Sequence, residues 1–143
     1  MIEYSCGFLF FRKFIDGVLE DHVLLILKNK PEWQAGLYNG IGGKVESGET
    51  ALAAQVREFF EEAGVITKHW QEFASIVNQD VDFKVTFFFS HFDGIPDFQS
   101  KTTEEVKAFP LSQLPPNLIS SLRYLIPLAL DKDVLNSMIV VSK

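Results

Sequence analysis

Four charged residues stand close together in the middle of the chain: Arg57, Glu58, Glu61 and Glu62. A helix advances by about 100° per residue, so a helix from about Thr50 to Ala63 would place all four within an arc of about 140°. Three carboxylates at these spacings repel one another, and one arginine cannot neutralise them all. A hard divalent cation would supply the missing charge. The sparse carboxylate set suits Mg²⁺, with Mn²⁺ as a substitute.

Glycines surround the approach to this helix: Gly40, Gly42, Gly43 and Gly48. A run of charge on a helix is commonly only a solvated face. Glycines, however, permit unusual backbone angles and a close approach of phosphate, so their presence here favours a ligand site. Thr50, or Ser47 one turn earlier, is the expected N-cap.

The other helix positions predict how the helix packs. Apolar residues at helical spacing predict a face that is buried in the core: Leu52, Val56, Phe59, Phe60 and Ala63. Ala51 and Ala54 are expected beside the carboxylates, on the acidic arc. Their small side chains would leave room there for a metal or a phosphate.

Residues 43–65, GKVESGETALAAQVREFFEEAGV, fit the pattern G-x5-E-x7-R-E-U-x-E-E-x-G-U, in which U is apolar. The fixed positions are Gly43, Glu49, Arg57, Glu58, Glu61, Glu62 and Gly64. At about 7% usage per residue, a chance match is on the order of 1 in 10^8 per start position. The pattern is the Nudix box, and the chain resembles the Nudix hydrolases. The resemblance implies an α/β/α sandwich with a mixed β-sheet between helices.

The resemblance also implies roles for the box residues. Glu58, Glu61 and Glu62 would bind divalent metal and activate water, with the carbonyl of Gly42 as a further ligand. Arg57 would orient the carboxylates, and Glu58 is the best candidate for the general base.

Further roles fall on residues around the helix. Glu49 would support the turn from loop to helix, and Lys44 would contact phosphate. Nudix enzymes often place another acid on a later loop. Glu105 is our choice for this acid and is a second candidate for the general base, with an exposed loop acid as the alternative interpretation.

The segment from Trp33 to Lys44 is similar to the approach to the box in MutT-like enzymes, which hydrolyse nucleoside triphosphates, including oxidised purine ones. Asn39 is the matching candidate for reading the base, because its amide can both donate and accept. Trp33 could stack on the base. A turn-forming role for Asn39 and a packing role for Trp33 remain alternatives.

Other substrate classes find less support. Oxidised-purine triphosphatases of the human type carry paired aspartates before an aromatic-x-x-Pro segment, whereas Ser120 and Ser121 occupy that place here. ADP-ribose and dinucleoside-polyphosphate subfamilies tend to have Pro or Tyr where residues 80–82 read Asp-Val-Asp. We therefore expect hydrolysis of a nucleoside triphosphate to monophosphate and pyrophosphate. ADP-ribose, dinucleoside polyphosphates, nucleotide sugars and a non-catalytic nucleotide-sensing module remain alternatives.

Length and composition agree with a single domain over residues 1–143. The chain is 47% hydrophobic and has 14 phenylalanines, which argues against disorder. Its net charge of −6 argues against a nucleic-acid polymer as partner, whereas a small nucleotide that binds together with metal escapes this objection. Cys6 is the single cysteine and can form no internal disulfide. With neither a signal layout nor a membrane-length apolar run, we expect a cytoplasmic protein. A homodimer remains open.

The remaining segments predict the elements that position the site. Strands are predicted at Ile2–Phe11, His22–Lys28, Gln71–Val77, Phe83–Phe92 and Val106–Pro110. Asp16-Gly17 predicts a turn between the first two. A second helix is predicted at Leu118–Leu130, which Pro127 would kink or interrupt.

Overall fold

The computed structural model describes residues 1–134 and 139–142. Within these residues the chain forms eight strands and two α-helices. The strands are β1 (Ile2–Ile15), β2 (Val18–Leu27), β3 (Tyr38–Asn39), β4 (Ile41–Lys44), β5 (Gln71–Asn78), β6 (Phe83–His91), β7 (Val106–Pro110) and β8 (Ile139–Ser142). The helices are α1 (Ala51–Ala63) and α2 (Leu122–Leu130).

The strands form one mixed sheet in the order β3-β2-β1-β6-β5-β8, with β4 also paired to β1 and β7 to β2. The β1–β6 and β5–β8 pairs are parallel, and the other pairs of named strands are antiparallel. The strand β1 changes partners along its length. Residues 4–7 pair with β4, and residues 10–15 pair with β2. This change leaves β4, which leads into the glycine-rich loop, beside the start of β1.

The sheet carries a hydrophobic cluster on each face. One cluster contains Phe87 and Phe89 together with the buried residues of α2, and the other contains Phe88 together with Phe59 of α1. Side chains that alternate along β6 therefore enter opposite layers, as the period of two predicts. The predicted α/β/α sandwich is confirmed.

The packing of α1 differs from the sequence prediction. Leu52 and Phe60 were expected in the core, but they are 43% and 48% exposed. The fully buried positions are Ala54, Gln55, Phe59 and Ala63. The helix is therefore rotated relative to the prediction, and Ala54 lies against the sheet rather than on an open acidic face. The Nε2 of the buried Gln55 donates to the carbonyl of Ile41 at 2.9 Å, which satisfies one of its two polar groups, while its Oε1 is buried with no partner among the described residues.

The second helix is shorter than predicted. It begins at Leu122 rather than at the first residue of Leu118–Leu130, because the preceding residues extend alongside β3. There the amide of Ile119 donates to the carbonyl of Tyr38 at 3.0 Å. The helix runs through Pro127 to the predicted end, so this proline does not interrupt it.

The first hairpin matches its prediction closely. Asp16 and Gly17 both have positive φ angles, 49° and 78°, as a tight turn between antiparallel strands requires. The short strands β3 and β4 were not predicted, because two residues and a glycine-rich tetrapeptide are too short to show a pattern. No helix among the described residues is long and apolar enough to cross a membrane.

Candidate active site

The helix α1 is fixed at both ends. Thr50 caps its start, with Oγ1 accepting from the amide of Ala53 at 3.0 Å. Gly64 ends it in the left-handed conformation at φ 72° and donates to the carbonyl of Phe60. Of the two predicted caps, the structure selects Thr50. The charged residues of α1 are thereby held in a fixed position beside β4.

Arg57 lies at the centre of the charged cluster. Its Nε and Nη2 donate to the two carboxylate oxygens of Glu49 at 2.7 and 2.8 Å, a bidentate pair. Its Nη1 donates to Glu58 at 2.9 Å and more weakly to Glu61 at 3.3 Å. Nη2 also donates to the carbonyl of Lys44 at 3.1 Å. The hydrogen bond to Glu49, followed by that to Glu58, raises the pKa of Arg57 above its ordinary value. One guanidinium thus links the helix, the loop before it and the end of β4.

Glu49 closes the loop that leads into α1. Besides its pair with Arg57, it accepts a hydrogen bond from the amide of Glu46 at 3.0 Å. The hydrogen bond from Arg57, aided by that amide, lowers the pKa of Glu49 from 4.5 to about 2. These contacts agree with the supporting role that the resemblance implies for Glu49.

Glu58 packs directly against the glycine-rich strand. A Cβ placed on Gly43 would overlap the carboxylate carbon of Glu58 and would lie 2.6 and 2.7 Å from its two oxygens. A Cβ on Gly42 would likewise overlap the backbone of Ser5. These two glycines are therefore required for close approach. Neither has a positive φ, unlike Gly48 at 81°.

The carbonyl of Gly42 lies on the same edge of β4 as that of Lys44. Successive strand carbonyls alternate in direction, so those of residues 42 and 44 point the same way. The carbonyl of Lys44 accepts from Arg57, so we expect the carbonyl of Gly42 on the side of the charged cluster. The side chain of Lys44 is exposed at the end of β4.

Glu62 carries the least compensated charge of the predicted metal ligands. It accepts a hydrogen bond from Oγ1 of Thr102 at 3.1 Å. Burial raises the pKa of Glu62, and the nearby carboxylates of Glu104 and Glu58 raise it further, against the lowering effects of Thr102 and Lys28. This part of the cluster has an excess of negative charge.

The structure brings Glu104, rather than the predicted Glu105, to the acidic face of α1. Glu105 is exposed, whereas Glu104 is buried and electrostatically coupled to Glu62. The reason is strand alternation. Glu104 lies two residues before the buried Val106, so the two side chains point in the same direction. That signal was readable in the sequence.

Two further residues hold Glu104. Its oxygens accept from Nζ of Lys28 at 3.0 Å and from the amide of Asn29 at 2.6 Å. Burial alone would raise the pKa of Glu104, but these two hydrogen bonds and the charge of Lys28 outweigh burial and lower it. Sequence reasoning missed Lys28, Asn29 and Thr102, because their side chains meet the acids only in the folded chain.

Asn39 lies on β3, and Trp33 lies in the short 3₁₀ turn Glu32–Gln34 that precedes it. Asn39 is half-buried, and its side-chain carbonyl accepts from the amide of Gly40 at 2.7 Å. Its amide group donates to Oε1 of Gln34 at 3.1 Å. Trp33 is 68% exposed and is therefore free of the packing role that was the alternative for it.

The donor set fits a hard divalent cation. Around α1 the structure gathers five carboxylates, Glu49, Glu58, Glu61, Glu62 and Glu104, with two cations, Arg57 and Lys28. The ligand atoms that these carboxylates offer are all oxygens, and the five negative charges outnumber the two positive charges. Among the described residues, no three His, Cys, Asp or Glu side chains stand in a metal-binding arrangement. The reason is that Glu58 and Glu61 accept hydrogen bonds from Arg57, whereas Glu62 accepts one from Thr102.

A segment of the chain is similar in sequence to a known protein. An ADP-ribose pyrophosphatase of Methanocaldococcus jannaschii is 44% identical over 55 residues, which span 38% of this chain and 32% of that protein. The chain therefore aligns with about a third of that relative's length.

Two solved structures resemble the chain in fold. A NUDIX hydrolase from Nitrosomonas europaea has a TM-score of 0.70 at 14% identity, covering 99% of this chain and 79% of that one. The NUDIX domain of Shewanella oneidensis NrtR, solved with ADP ribose, has a TM-score of 0.69 at 18% identity, covering 90% and 85%. At such identities the likeness shows the fold alone.

The family model of the NUDIX domain matches residues 16–129, well over half of the 143 residues. Members of this family are pyrophosphohydrolases that generally use divalent metal ions such as Mg²⁺. The complete box, the mixed sheet between two helices and the match to the family model agree, and the chain belongs to the Nudix family.

Proposed function

We propose that this protein hydrolyses a phosphoanhydride bond of a nucleoside diphosphate derivative and that the reaction depends on Mg²⁺. The observation that carries the proposal is the cluster around Arg57, which fixes Glu58 against Gly43 and gathers an excess of carboxylates on one side of α1. A chemistry that needs chiefly positioning and charge stabilisation suits such a site.

The metal would be held by Glu58, Glu61, Glu62 and the carbonyl of Gly42. When bound, Mg²⁺ polarises a phosphoryl group and lowers the pKa of a water molecule. In the structure, Glu58 and Glu61 accept hydrogen bonds from Arg57, so the two carboxylates would have to turn toward a bound metal. The separate bidentate pair of Arg57 with Glu49 would still position the helix.

Glu58 would accept the proton from the attacking water. It is well placed because Gly43 leaves its carboxylate no room to withdraw toward the strand. Glu104 would act as the second acid, the role predicted for Glu105, because its charge interacts with that of Glu62. Lys28 holds Glu104 in place.

The favoured substrate is a nucleoside triphosphate, which would yield the monophosphate and pyrophosphate. Asn39 would contact the base, and Trp33, which is largely exposed on the same loop, would stack on it. Lys44 would contact phosphate from the exposed end of β4.

ADP-ribose is the second candidate. The segment that is 44% identical to the ADP-ribose pyrophosphatase of M. jannaschii favours it. That segment covers only 38% of the chain, so it carries less weight for the residues that would contact the base.

A panel of substrates tests the proposal. We would measure release of phosphate or pyrophosphate from nucleoside triphosphates, oxidised purine triphosphates, ADP-ribose, dinucleoside polyphosphates and nucleotide sugars, with Mg²⁺ and with EDTA. We expect Mg²⁺-dependent turnover of a nucleoside triphosphate. Turnover of ADP-ribose alone would support the second candidate. Silence across the panel with nucleotide binding retained would contradict hydrolysis and support a sensing module.

A further inference from the structure

Gln55 is fully buried on α1, and its amide fills the space beside Gly7 of β1. A Cβ placed on Gly7 would overlap Nε2 of Gln55 and would lie 2.7 Å from Cδ of the same side chain. It would also lie 2.9 Å from Cζ3 of Trp70. Any larger residue at position 7 would therefore displace the amide, so Gly7 provides the room that Gln55 needs.

The amide of Gln55 bonds α1 to the sheet where β1 and β4 meet. Its Nε2 donates to the carbonyl of Ile41 at 2.9 Å, and Ile41 is the residue of β4 that pairs with Gly7. A carbonyl oxygen can only accept, so the atom of Gln55 that meets it is the nitrogen. The helix is therefore bonded to β4 at one defined point of the strand register.

Stability alone does not account for a glutamine at this position. A buried amide costs free energy unless its polar atoms are hydrogen-bonded, and Oε1 of Gln55 has no partner among the described residues. A methionine would fill a similar volume without that cost. The glutamine adds direction, because a hydrogen bond constrains a distance and an angle, whereas the hydrophobic effect is non-directional.

A second contact joins α1 to β4 on the other side of Gly42. The carboxylate of Glu58 packs against Gly43, about one helical turn after the bond from Gln55 to Ile41. These two contacts fix β4 at the residue before Gly42 and at the residue after it. They therefore determine how β4 is placed along α1.

Gly42 depends on such contacts because it has no side chain of its own. Glycine has more backbone freedom than any other residue, and a Cβ at this position would overlap the backbone of Ser5. The peptide unit that joins Ile41 to Gly42 is planar. A bond from Gln55 to the carbonyl of Ile41 therefore also orients the nitrogen and Cα of Gly42, from which the carbonyl of Gly42 continues.

We propose that Gln55 is a positioning residue, which fixes β4 against α1 so that the carbonyl of Gly42 and the carboxylate of Glu58 can bind the same metal ion. Gly7 serves the same arrangement by leaving room for the amide of Gln55. The inference rests on the proposed function for the metal site. It adds to that site a buried residue that contacts neither the metal nor the substrate.

Gln55→Met tests the inference with the metal alone. We would titrate the chain with Mn²⁺ in the absence of nucleotide and follow the EPR signal of the free ion. Contacts that orient a metal ligand alter affinity by about tenfold to a hundredfold, so Mn²⁺ should bind at least about tenfold more weakly. The Tm in EDTA should stay within about 4 °C of the wild type or rise, because the variant removes the unpaired buried oxygen.

Two outcomes of this titration would overturn the inference. One is Mn²⁺ affinity equal to that of the wild type. The other is a larger fall in Tm, which would show that Gln55 supports the whole fold rather than the site. Gln113→Met is the matched control, because Gln113 is exposed and follows the end of β7 that lies away from Glu104. It should change neither quantity.

Hydrogen exchange in EDTA tests the same contact without metal. The amides of β4 should exchange about fivefold faster in Gln55→Met, as the loss of one hydrogen bond predicts, whereas those of β5 should keep their rates. Gly7→Ala keeps Gln55 but takes the space of its amide, so it should also speed exchange in β4. Wild-type exchange of β4 in both variants would contradict the proposal.

Hydrolysis separates this inference from the proposed function. A wild-type chain that hydrolyses no nucleotide would refute the proposed function, while faster exchange of β4 and weaker Mn²⁺ binding in Gln55→Met would still support the positioning role. Mg²⁺-dependent hydrolysis with an unchanged kcat in Gln55→Met would support the proposed function and overturn the inference.

Discussion

At the scale of single residues, Arg57 sets the resting state of the acids. It contacts Glu49 through two hydrogen bonds and Glu58 and Glu61 through one nitrogen. Charge-assisted contacts of this kind are stronger than neutral hydrogen bonds, so they define the position of each carboxylate before any ligand arrives. Arg57 does not reach Glu62, which instead accepts a hydrogen bond from Oγ1 of Thr102.

Glu58→Gln tests the proposed general base. The substitution keeps the shape of the side chain but removes the proton acceptor and one metal-ligand charge, so kcat should fall by at least about a hundredfold. Steady-state hydrolysis of the best nucleotide measures this effect. Glu72→Gln, an exposed position on β5, is the control and should leave kcat unchanged. Wild-type turnover in Glu58→Gln would remove Glu58 from the mechanism.

Gly43→Ala tests whether close packing holds Glu58 in place. The added methyl group would occupy the space of the Glu58 carboxylate, and a displacement of about 1 Å costs about a hundredfold in rate. We expect kcat to fall by about that factor while the fold, followed by circular dichroism, is retained. Gly17→Ala is the control. It strains a turn at φ 78° with no atom within 4 Å of the new methyl group, so it should lower stability and leave kcat unchanged. Full activity in Gly43→Ala would show that Glu58 has another position available.

At the scale of elements, the loop before α1 and the helix form one unit through Glu49. The loop contact to Glu46 and the helix contact to Arg57 both end on this carboxylate. Thr50 then begins the helix directly after it. The position of the acids therefore depends on the loop as much as on the helix.

Glu49→Gln tests this unit through the pH dependence of stability. In the folded chain the pKa of Glu49 is lowered to about 2 from an ordinary 4.5. Its contribution is therefore fully present above about pH 4.5 and is lost as the pH falls through about 2. We expect the free energy of unfolding of the wild type to fall more steeply between these values than that of Glu49→Gln. Urea unfolding in EDTA at several pH values measures it. Parallel curves for the two proteins would show that the ion pair does not stabilise the fold.

At the scale of the whole molecule, the sheet brings separate segments to one site. Lys28 directly follows β2, Glu104 lies in the segment before β7, and Glu62 lies on α1. Pairing of β2 with β7 holds the first two together, and packing of α1 under the sheet adds the third. The excess negative charge gathered in this way should weaken the metal-free fold.

Thermal unfolding with and without metal tests that consequence. A ligand that binds only the folded state raises its stability, so saturating Mg²⁺ should raise the Tm of the wild type by about 3 °C or more. Glu62→Gln should reduce this shift strongly. Glu72→Gln should retain it. An equal Mg²⁺ shift in Glu62→Gln would show that Glu62 is not a metal ligand.

The family, the box and most of the strands and helices could be predicted from the sequence. The spacing of the box residues was sufficient because a helix converts spacing into position within a few residues. Strand alternation likewise accounts for the entry of Phe87 and Phe88 into opposite layers. Such short-range geometry depends only on neighbours along the chain.

Only the packing of the folded chain sets which face of α1 meets the sheet and which residues hold Glu104. Leu52 and Phe60 are exposed because the sheet meets α1 along Ala54, Gln55 and Phe59, a choice that hydrophobicity alone could not predict. Glu104 reaches the site through Lys28, 76 positions away in sequence. These contacts depend on how β2, β7 and α1 pack together, and such long-range packing leaves no local periodicity in the chain.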